Sequence, residues 1–461
     1  MVKHLKIAFT DSVKPWISSI EDRTCIPINE TDFTNIGAVV VSASEMDVLD
    51  NEQIRSFGIP AIVMVVDPSH TIYFDMERIG AVIDITSNSI NDYKWTIEQI
   101  VASYEALILP PFFKALSDYV GDNNAQFDCP GHQGGQFFTK HPTGRAFYDF
   151  FGDHIFRADL CNADVKLGDL LIHEGYAHDA QAHAAAVYNA DKTYFVLNGT
   201  SSANKVVLNA LLTPGDIILY DRNNHKSICH GGLVMSGATP IYLETARNPF
   251  GSIGGILEHC FDESYIRNLI HEKDPNKAKA DRPIRLAVIQ LGTYDGTIYN
   301  ARQVVDKIGH LCDYIFFDSA WVGYEQFIPM MKDCSPLLLE LGPNDPGILV
   351  TQSVHKQQAG FSQTSQIHKK DKHIKGQDRY VDHKRFNNSF MMHASTSPFY
   401  PLFASLDVNA KIHEGELGKQ LWRECIEVGI DARKSVLRRC KYLRPLVPPV
   451  VHGKKWEEGD R

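Results

Sequence analysis

The chain has 461 residues, of which 44% are hydrophobic and 22% are charged, a composition typical of globular proteins with roughly two to four domains at this length. The net charge of −10 and the lack of a basic block argue against nucleic acid or an anionic membrane as partner, and no apolar run approaches the ~20 residues of a membrane span. Nine scattered cysteines without a C-x-x-C pair indicate reduced thiols in the cytoplasm. We predict no metal site.

Short apolar runs alternate with polar, helix-like segments in the first 90 residues. The runs predict buried parallel strands at Leu5–Thr10, Gly37–Ser42, Ile59–Val66 and Ala81–Ile85. Between the second and third runs, Ser44 to Phe57 reads as one helix with a serine cap. The pattern predicts a doubly wound, flavodoxin-like α/β domain over residues 1–107.

Two interpretations of this first domain remain open. Asp11 and Asp67 follow predicted strands, which is the placement of phosphoacceptor acids in receiver domains. The alternative is a structural wing whose acids cap helices or turns. The wing is favoured because no lysine follows the last strand to complete a phosphoacceptor site.

A long helical pattern from Asn91 to Val120 is broken at Leu109-Pro-Pro. Two prolines end one helix and begin another, so residues 108–126 are predicted to be a linker. A second domain is expected from residue 127, opening with a glycine-rich segment over Phe127–Phe138. The glycines permit close backbone approach or a loop with positive φ.

Hydroxyl groups stand at the start of a helix in the second domain. Lys192–Leu197 predicts a strand, and a helix follows from Asn198. Thr200 and Ser201 therefore lie at a helix N-terminus, where free N–H groups and hydroxyls can bind an anion. Ordinary capping is the other interpretation. His225 follows the next strand and, taken alone, is an ordinary loop histidine.

An acid and a lysine end two later strands. Tyr314–Trp321 contains an apolar strand that ends in the acid Asp318, and Gly347–Lys356 reads as a second strand that ends at Ser353, His355 and Lys356. The carboxyl ends of parallel strands meet at one edge of a sheet. A carboxylate that holds a protonated pyridine nitrogen and a lysine that binds an aldehyde suit pyridoxal 5'-phosphate. Ser353 and His355 are placed to hold its phosphate.

Several motifs together carry a family resemblance. They are Cys129–Gly135, Val196–Ser202, Asp221–Ser227, Asp318–Trp321, Thr351–Ser365 and His393–Pro401. With them the chain resembles the prokaryotic ornithine, lysine and arginine decarboxylases, whose central domain has the pyridoxal-phosphate fold of aspartate aminotransferase. The resemblance implies an aspartate-aminotransferase-like domain over residues 127–413 and a structural wing before it.

The resemblance also implies roles for individual residues. Lys356 would bind the cofactor covalently, Asp318 would pair with its ring nitrogen, and His225 would stack on one ring face. Ala320 and Trp321 would line the other face. The phosphate would be held by Thr200, Ser201, Ser353 and His355, and Thr396 and Ser397 would reach the phosphate of a neighbouring subunit. A homodimer is therefore expected.

The implied reaction is decarboxylation of L-ornithine to putrescine and carbon dioxide, in polyamine biosynthesis or acid response. Lysine or arginine decarboxylation remains open, whereas an aminotransferase is disfavoured because no arginine clamp for the substrate carboxylate is identifiable. Residues 414–461 are expected to begin a C-terminal region, with the family's C-terminal domain largely absent. A non-catalytic fragment that dimerises and binds cofactor is accordingly a second hypothesis.

Overall fold

The computed structural model describes residues 5–18, 20, 23–67, 79–162, 166–221 and 224–459. The chain divides into two compact units, Met1–Asp159 and Leu160–Arg461. This division after Asp159 lies later in the chain than the start of the second domain predicted at residue 127. The domain limit at residue 127 stays a prediction. Among the described residues, no helix has both the length and the apolar character needed to cross a bilayer.

Sixteen strands are assigned within the described residues. They are β1 Lys6–Phe9, β2 Cys25–Pro27, β3 Ile36–Ser42, β4 Ala61–Val65, β5 Ile79–Asp84, β6 Lys192–Val196, β7 Ile217–Asp221, β8 Thr239–Leu243, β9 Thr245–Arg247, β10 Ile253–Ile256, β11 Ile284–Gln290, β12 Cys312–Asp318, β13 Gly347–Gln352, β14 Ser365–Lys370, β15 Val450–Val451 and β16 Lys454–Lys455.

The α-helices of the same residues are α1 Lys14–Ile17, α2 Glu52–Ser56, α3 Ile90–Ile108, α4 Pro111–Gly121, α5 Pro142–Phe151, α6 Asp153–Arg157, α7 Tyr176–Val187, α8 Gly199–Leu211, α9 Lys226–Cys229, α10 Glu263–His271, α11 Ala301–Ile308, α12 Val354–Gln357, α13 His383–His393, α14 Tyr400–Ile412 and α15 Gly415–Arg439. A π-helical turn, His230–Met235, follows α9.

The first unit contains a five-stranded sheet in the order β2-β1-β3-β4-β5, and every pairing in it is parallel. This is the strand order of flavodoxin-like doubly wound domains. Alternate residues of each strand enter opposite apolar clusters, with Ile7 in one cluster and Ala8 in the other. The two buried faces explain the nearly continuous apolar runs. The predicted α/β class is confirmed.

The prediction of one helix over 44–57 is wrong. Residues Met46–Asp50 form a 3-10 turn, and α2 begins only at Glu52. Asn51 adopts an extended ψ of 129°, and its side-chain oxygen accepts from the backbone N–H groups of Gln53 and Ile54. This side chain caps α2 at a position that the serine-cap reading placed inside the helix.

The proline break is confirmed. Helix α3 ends at Ile108, Pro110 precedes the next helix, and Pro111 occupies its first position. The glycine-rich segment forms turns, with positive φ at Gln133, Gly134 and Gly135. Of the two interpretations that the sequence left open for these glycines, the structure therefore agrees with the loop that needs positive φ.

The second unit is organised around a seven-stranded mixed sheet in the order β6-β14-β13-β12-β11-β7-β8. Strands β13, β12, β11, β7 and β8 run parallel, whereas β14 is antiparallel to both of its neighbours. Helices α8 and α13 cover one face through an apolar cluster that includes Val207 and Phe386. Because the central strands are parallel, their carboxyl ends share one edge.

Candidate active site

One face of helix α8 carries two polar side chains to the carboxyl edge of the sheet. Thr200 and Asn204 are four residues apart, so they lie one above the other on the helix, and both are buried. The hydroxyl of Thr200 lies 2.6 Å from Ser353 Oγ and 2.9 Å from Ser365 Oγ. A cluster of three hydroxyls therefore stands at the N-terminus of a 13-residue helix, where an anion is favoured.

Asp318 ends β12 and is only 2% exposed. Its Oδ2 accepts from Asn204 Nδ2 at 2.8 Å, and its Oδ1 accepts from the Ala320 backbone N–H at 3.1 Å. Burial raises the pKa of this carboxyl group, while these two hydrogen bonds and the positive charge of Lys356 oppose the rise. The site thus holds a desolvated carboxyl group whose two oxygens both face N–H donors.

His225 directly precedes α9, and its Nδ1 caps that helix by accepting from the Ser227 backbone N–H at 3.2 Å. Since a backbone N–H can only donate, Nδ1 is unprotonated in this arrangement. Partial burial lowers the pKa of His225, although the Asp318 charge opposes the effect. The neutral imidazole with its proton on Nε2 is the resulting form.

Lys356 does not lie on the strand itself. Strand β13 ends at Gln352, and Lys356 belongs to the one-turn helix α12 that follows. Its Nζ lies 4.0 Å from the ring centroid of Trp321, a cation–π distance. Partial burial lowers the pKa of the Lys356 amine, although the side chain keeps access to solvent, and the Asp318 charge acts in the opposite direction. The amine is therefore closer to the neutral, nucleophilic form than a surface lysine.

The remaining predicted residues lie in different environments. Ser201 is exposed on the first turn of α8. His355 Nδ1 lies 2.8 Å from the Thr364 carbonyl oxygen, so this nitrogen donates. Thr396 and Ser397 are exposed between α13 and α14, and the Ser397 N–H donates to Ser395 Oγ within the same segment. Their phosphate roles stay predictions.

Several residues of the site were missed from the sequence, namely Asn204, Ser227, Thr351, Ser365 and Gln358. Asn204 had a usable signal, because it stands one helical turn after Thr200. Ser365 ends the Thr351–Ser365 motif, but its contact with Thr200 depends on the antiparallel pairing of β14 with β13 and β6, which local pattern does not show.

Comparison with known proteins places this geometry in a family. The sequence model of the family described as Orn/Lys/Arg decarboxylase, major domain, matches residues 110–459. The chain belongs to this family. It is 64% identical over 458 residues to an ornithine decarboxylase of Haemophilus influenzae and 62% identical over 455 residues to an inducible ornithine decarboxylase of Escherichia coli.

These matches span 99% and 98% of the chain, but 63% and 62% of the relatives. The chain thus covers somewhat less than two thirds of the length of these curated relatives. Among solved structures, a lysine decarboxylase from Francisella novicida is 30% identical with a TM-score of 0.83. The match covers 98% of this chain and 65% of the chain of that decarboxylase. Its fold agrees with the predicted wing domain followed by an aspartate-aminotransferase-like domain.

Proposed function

We propose that this protein decarboxylates L-ornithine to putrescine and carbon dioxide with pyridoxal phosphate as cofactor. The observation that carries the proposal is the buried Asp318 carboxyl group, held by two N–H donors, at the same sheet edge as Lys356 with its lowered pKa. A buried acid and a perturbed amine at the carboxyl ends of adjacent parallel strands are typical of a catalytic site.

The chemistry of the side chains fits pyridoxal phosphate. The hydroxyls of Thr200, Ser353 and Ser365 at the start of α8 suit a phosphate dianion. The Asp318 carboxylate suits a protonated ring nitrogen, and the Lys356 amine suits the aldehyde carbon. Trp321 and His225 offer flat, polarisable groups for the two ring faces, as the resemblance implies.

When bound, the cofactor supplies an electron sink for the bond that breaks at the substrate α-carbon. The protein residues supply binding and proton control. Asp318 provides a fixed negative charge that keeps a proton on a neighbouring nitrogen. Lys356 provides an amine that releases its proton more readily than a surface lysine does, because partial burial disfavours its charged form.

The names of the relatives support ornithine as substrate. Four relatives at 58–64% identity are named ornithine decarboxylases. Relatives named lysine or arginine decarboxylases are 35–41% identical. The lower identity makes lysine and arginine the weaker choices for this chain.

We further propose a cytoplasmic homodimer. The segment 127–151 exposes several phenylalanines, including Phe127 at 94% and Phe150 at 81%, and an apolar surface of this kind supports a protein partner. Exposed Thr396 and Ser397 are free to face a second subunit, as the resemblance implies. The nine cysteines are scattered along the chain without a C-x-x-C pair, which supports a reducing compartment.

Borohydride trapping tests the cofactor proposal. Protein incubated with pyridoxal phosphate and reduced should carry one adduct, located by peptide mass spectrometry on Lys356. The exposed Lys372 is the control, because its replacement by Ala should leave the adduct in place. An adduct spread over surface lysines, or none at all, would contradict the proposal.

Release of labelled carbon dioxide tests the reaction. Ornithine should be decarboxylated in preference to lysine and arginine at equal concentration. A chain that binds the cofactor on Lys356 without releasing carbon dioxide from any of the three would instead support the non-catalytic fragment.

A further inference from the structure

Asn204 is the common partner of three groups in the site. Its Nδ2 lies 2.8 Å from Asp318 Oδ2 and 3.0 Å from Ser227 Oγ. Its Oδ1 accepts from the Thr351 hydroxyl at 2.8 Å. The Ser227 hydroxyl in turn lies 2.8 Å from His225 Nδ1. One carboxamide therefore joins β12, β13, α8 and the turn that carries His225.

The directions of these hydrogen bonds are fixed by chemistry. An ionised carboxylate only accepts, so the NH₂ of Asn204 must face Asp318 and its oxygen must face Thr351. The same NH₂ donates to Ser227 Oγ. The hydroxyl hydrogen of Ser227 is then free to point toward His225 Nδ1, which already accepts a backbone N–H.

We propose that Asn204 is a positioning residue that keeps the Asp318 carboxyl group ionised and fixed in orientation, and that turns the Ser227 hydroxyl toward His225. The inference rests on the proposed function for its meaning, since Asp318 and His225 are the groups assigned to the cofactor ring. Asn204 is itself buried and is not proposed to touch the cofactor.

The electrostatic surroundings agree with this role. Burial drives the pKa of Asp318 upward, and the Asn204 hydrogen bond is the leading contribution against it, followed by Ala320, His225 and Lys356. The groups that act on His225 are Asp318, Lys356, Lys226 and His230. A buried carboxyl group without such a donor would gain a proton more readily.

The replacement Asn204→Asp gives the sharpest test because it keeps the shape of the side chain but replaces the NH₂ donor with an oxygen that, when ionised, can only accept. At neutral pH it sets a second carboxylate against Asp318, so one of the two binds a proton at a higher pH than an isolated acid. At acid pH the introduced carboxyl group is protonated, and its O–H can again donate to Asp318. We therefore expect the variant to recover as pH falls.

The readout is a pH titration of the visible absorption of the cofactor-loaded 461-residue chain, together with cofactor affinity at each pH. Asn204→Asp should bind cofactor at least about tenfold more weakly at neutral pH, since hydrogen bonds to charged groups are among the strong ones, and should regain part of that loss at the acid end. Asn209→Asp is the matched control, because Asn209 lies on α8 and bonds Gly231, Ser236 and His393 instead of groups in the site. It should titrate like the wild type.

A second variant covers the case in which Asn204→Asp does not fold. Ser227→Ala removes the Asn204–Ser227 hydrogen bond and the branch to His225 but leaves the Asn204–Asp318 bond in place. Losing a donor aimed at Nδ1 should raise the pKa of His225. Nitrogen NMR of the histidines in cofactor-free protein measures this, with His225→Gln assigning the signal.

An Asn204→Asp titration that runs parallel to the wild type, or an unchanged His225 pKa in Ser227→Ala, would overturn the inference. Neither readout needs turnover. Failure of the proposed function would appear separately, as wild-type protein that takes up cofactor on Lys356 but releases no carbon dioxide.

Discussion

The Gln358 side chain donates to the Gly323 carbonyl oxygen, with Nε2 and O 3.1 Å apart. Gln358 follows Lys356 by two residues, and Gly323 follows Trp321 by two residues. The bond therefore ties together the two loops that bring the Lys356 amine and the Trp321 ring within 4.0 Å. Gln358 Oε1 accepts from Tyr188 and from Asn409, so the tether is anchored in the interior.

Replacing Gln358 with Leu should loosen both loops. The substitution leaves Tyr188, Asn409 and the Gly323 carbonyl without this partner, and unpaired buried polar groups cost about 1–3 kcal/mol each. We expect a lower free energy of unfolding and weaker cofactor binding. Urea unfolding and cofactor titration measure the two effects.

The neighbouring Gln357 is exposed, so Gln357→Leu is the matched control and should change neither quantity appreciably. Equal effects in the two variants would show that the tether has no special role.

Thr200→Val should weaken cofactor binding while preserving the fold. Valine has nearly the shape of threonine, but it removes the hydroxyl that lies between Ser353 and Ser365. Losing one hydrogen bond to a charged phosphate costs about 1.5–3 kcal/mol, so the dissociation constant should rise about 10- to 100-fold. Equilibrium dialysis against pyridoxal phosphate measures it, with Ser202→Ala on the same helical turn as the control.

Asp318→Ala should retain some cofactor but lose turnover. The phosphate and lysine contacts remain, whereas the negative charge beside the ring nitrogen is gone. Removing a preorganised electrostatic group lowers kcat by about 100- to 1,000-fold. Steady-state carbon dioxide release and borohydride trapping separate the two effects. Asp313→Asn on the same strand, which removes a pairing with Arg285, should keep wild-type kcat.

His173 should make the fold sensitive to acid. Burial lowers its pKa to about 4, whereas an unfolded histidine titrates near pH 6.5. Between these values the unfolded chain binds a proton that the folded chain does not. The contribution of His173 to the free energy of unfolding is therefore fully present above about pH 6.5. It falls by about 1.4 kcal/mol for each pH unit below that value, down to about pH 4.

The variant His173→Gln should flatten this slope of unfolding free energy between pH 7 and pH 5, even if its absolute stability is lower. His178→Gln, which alters an exposed histidine on α7, should keep the wild-type slope. Parallel pH dependences in all three proteins would remove His173 as the cause.

The local pattern of apolar and polar residues was sufficient to predict much of the fold. The apolar runs of the first unit predicted strands because both faces of that sheet are buried, and the Pro110–Pro111 pair predicted the break between α3 and α4. Local pattern failed over 44–57, where the Asn51 side chain caps a shorter helix than the serine cap indicated.

For the site, the sequence by itself determined the chemistry of the reactive groups. Asp318, Lys356 and Thr200 each stand at the end of a recognisable element, and parallel strands place such ends on one edge. Only the tertiary structure decided which neighbours hold them. Asn204, Ser365 and Gln358 act through contacts between residues 35 to 165 positions apart, and sequence periodicity carries no information about contacts across such distances. Hydrogen-bond direction and burial, which set the charge of Asp318 and the proton position on His225, exist only once those elements have packed.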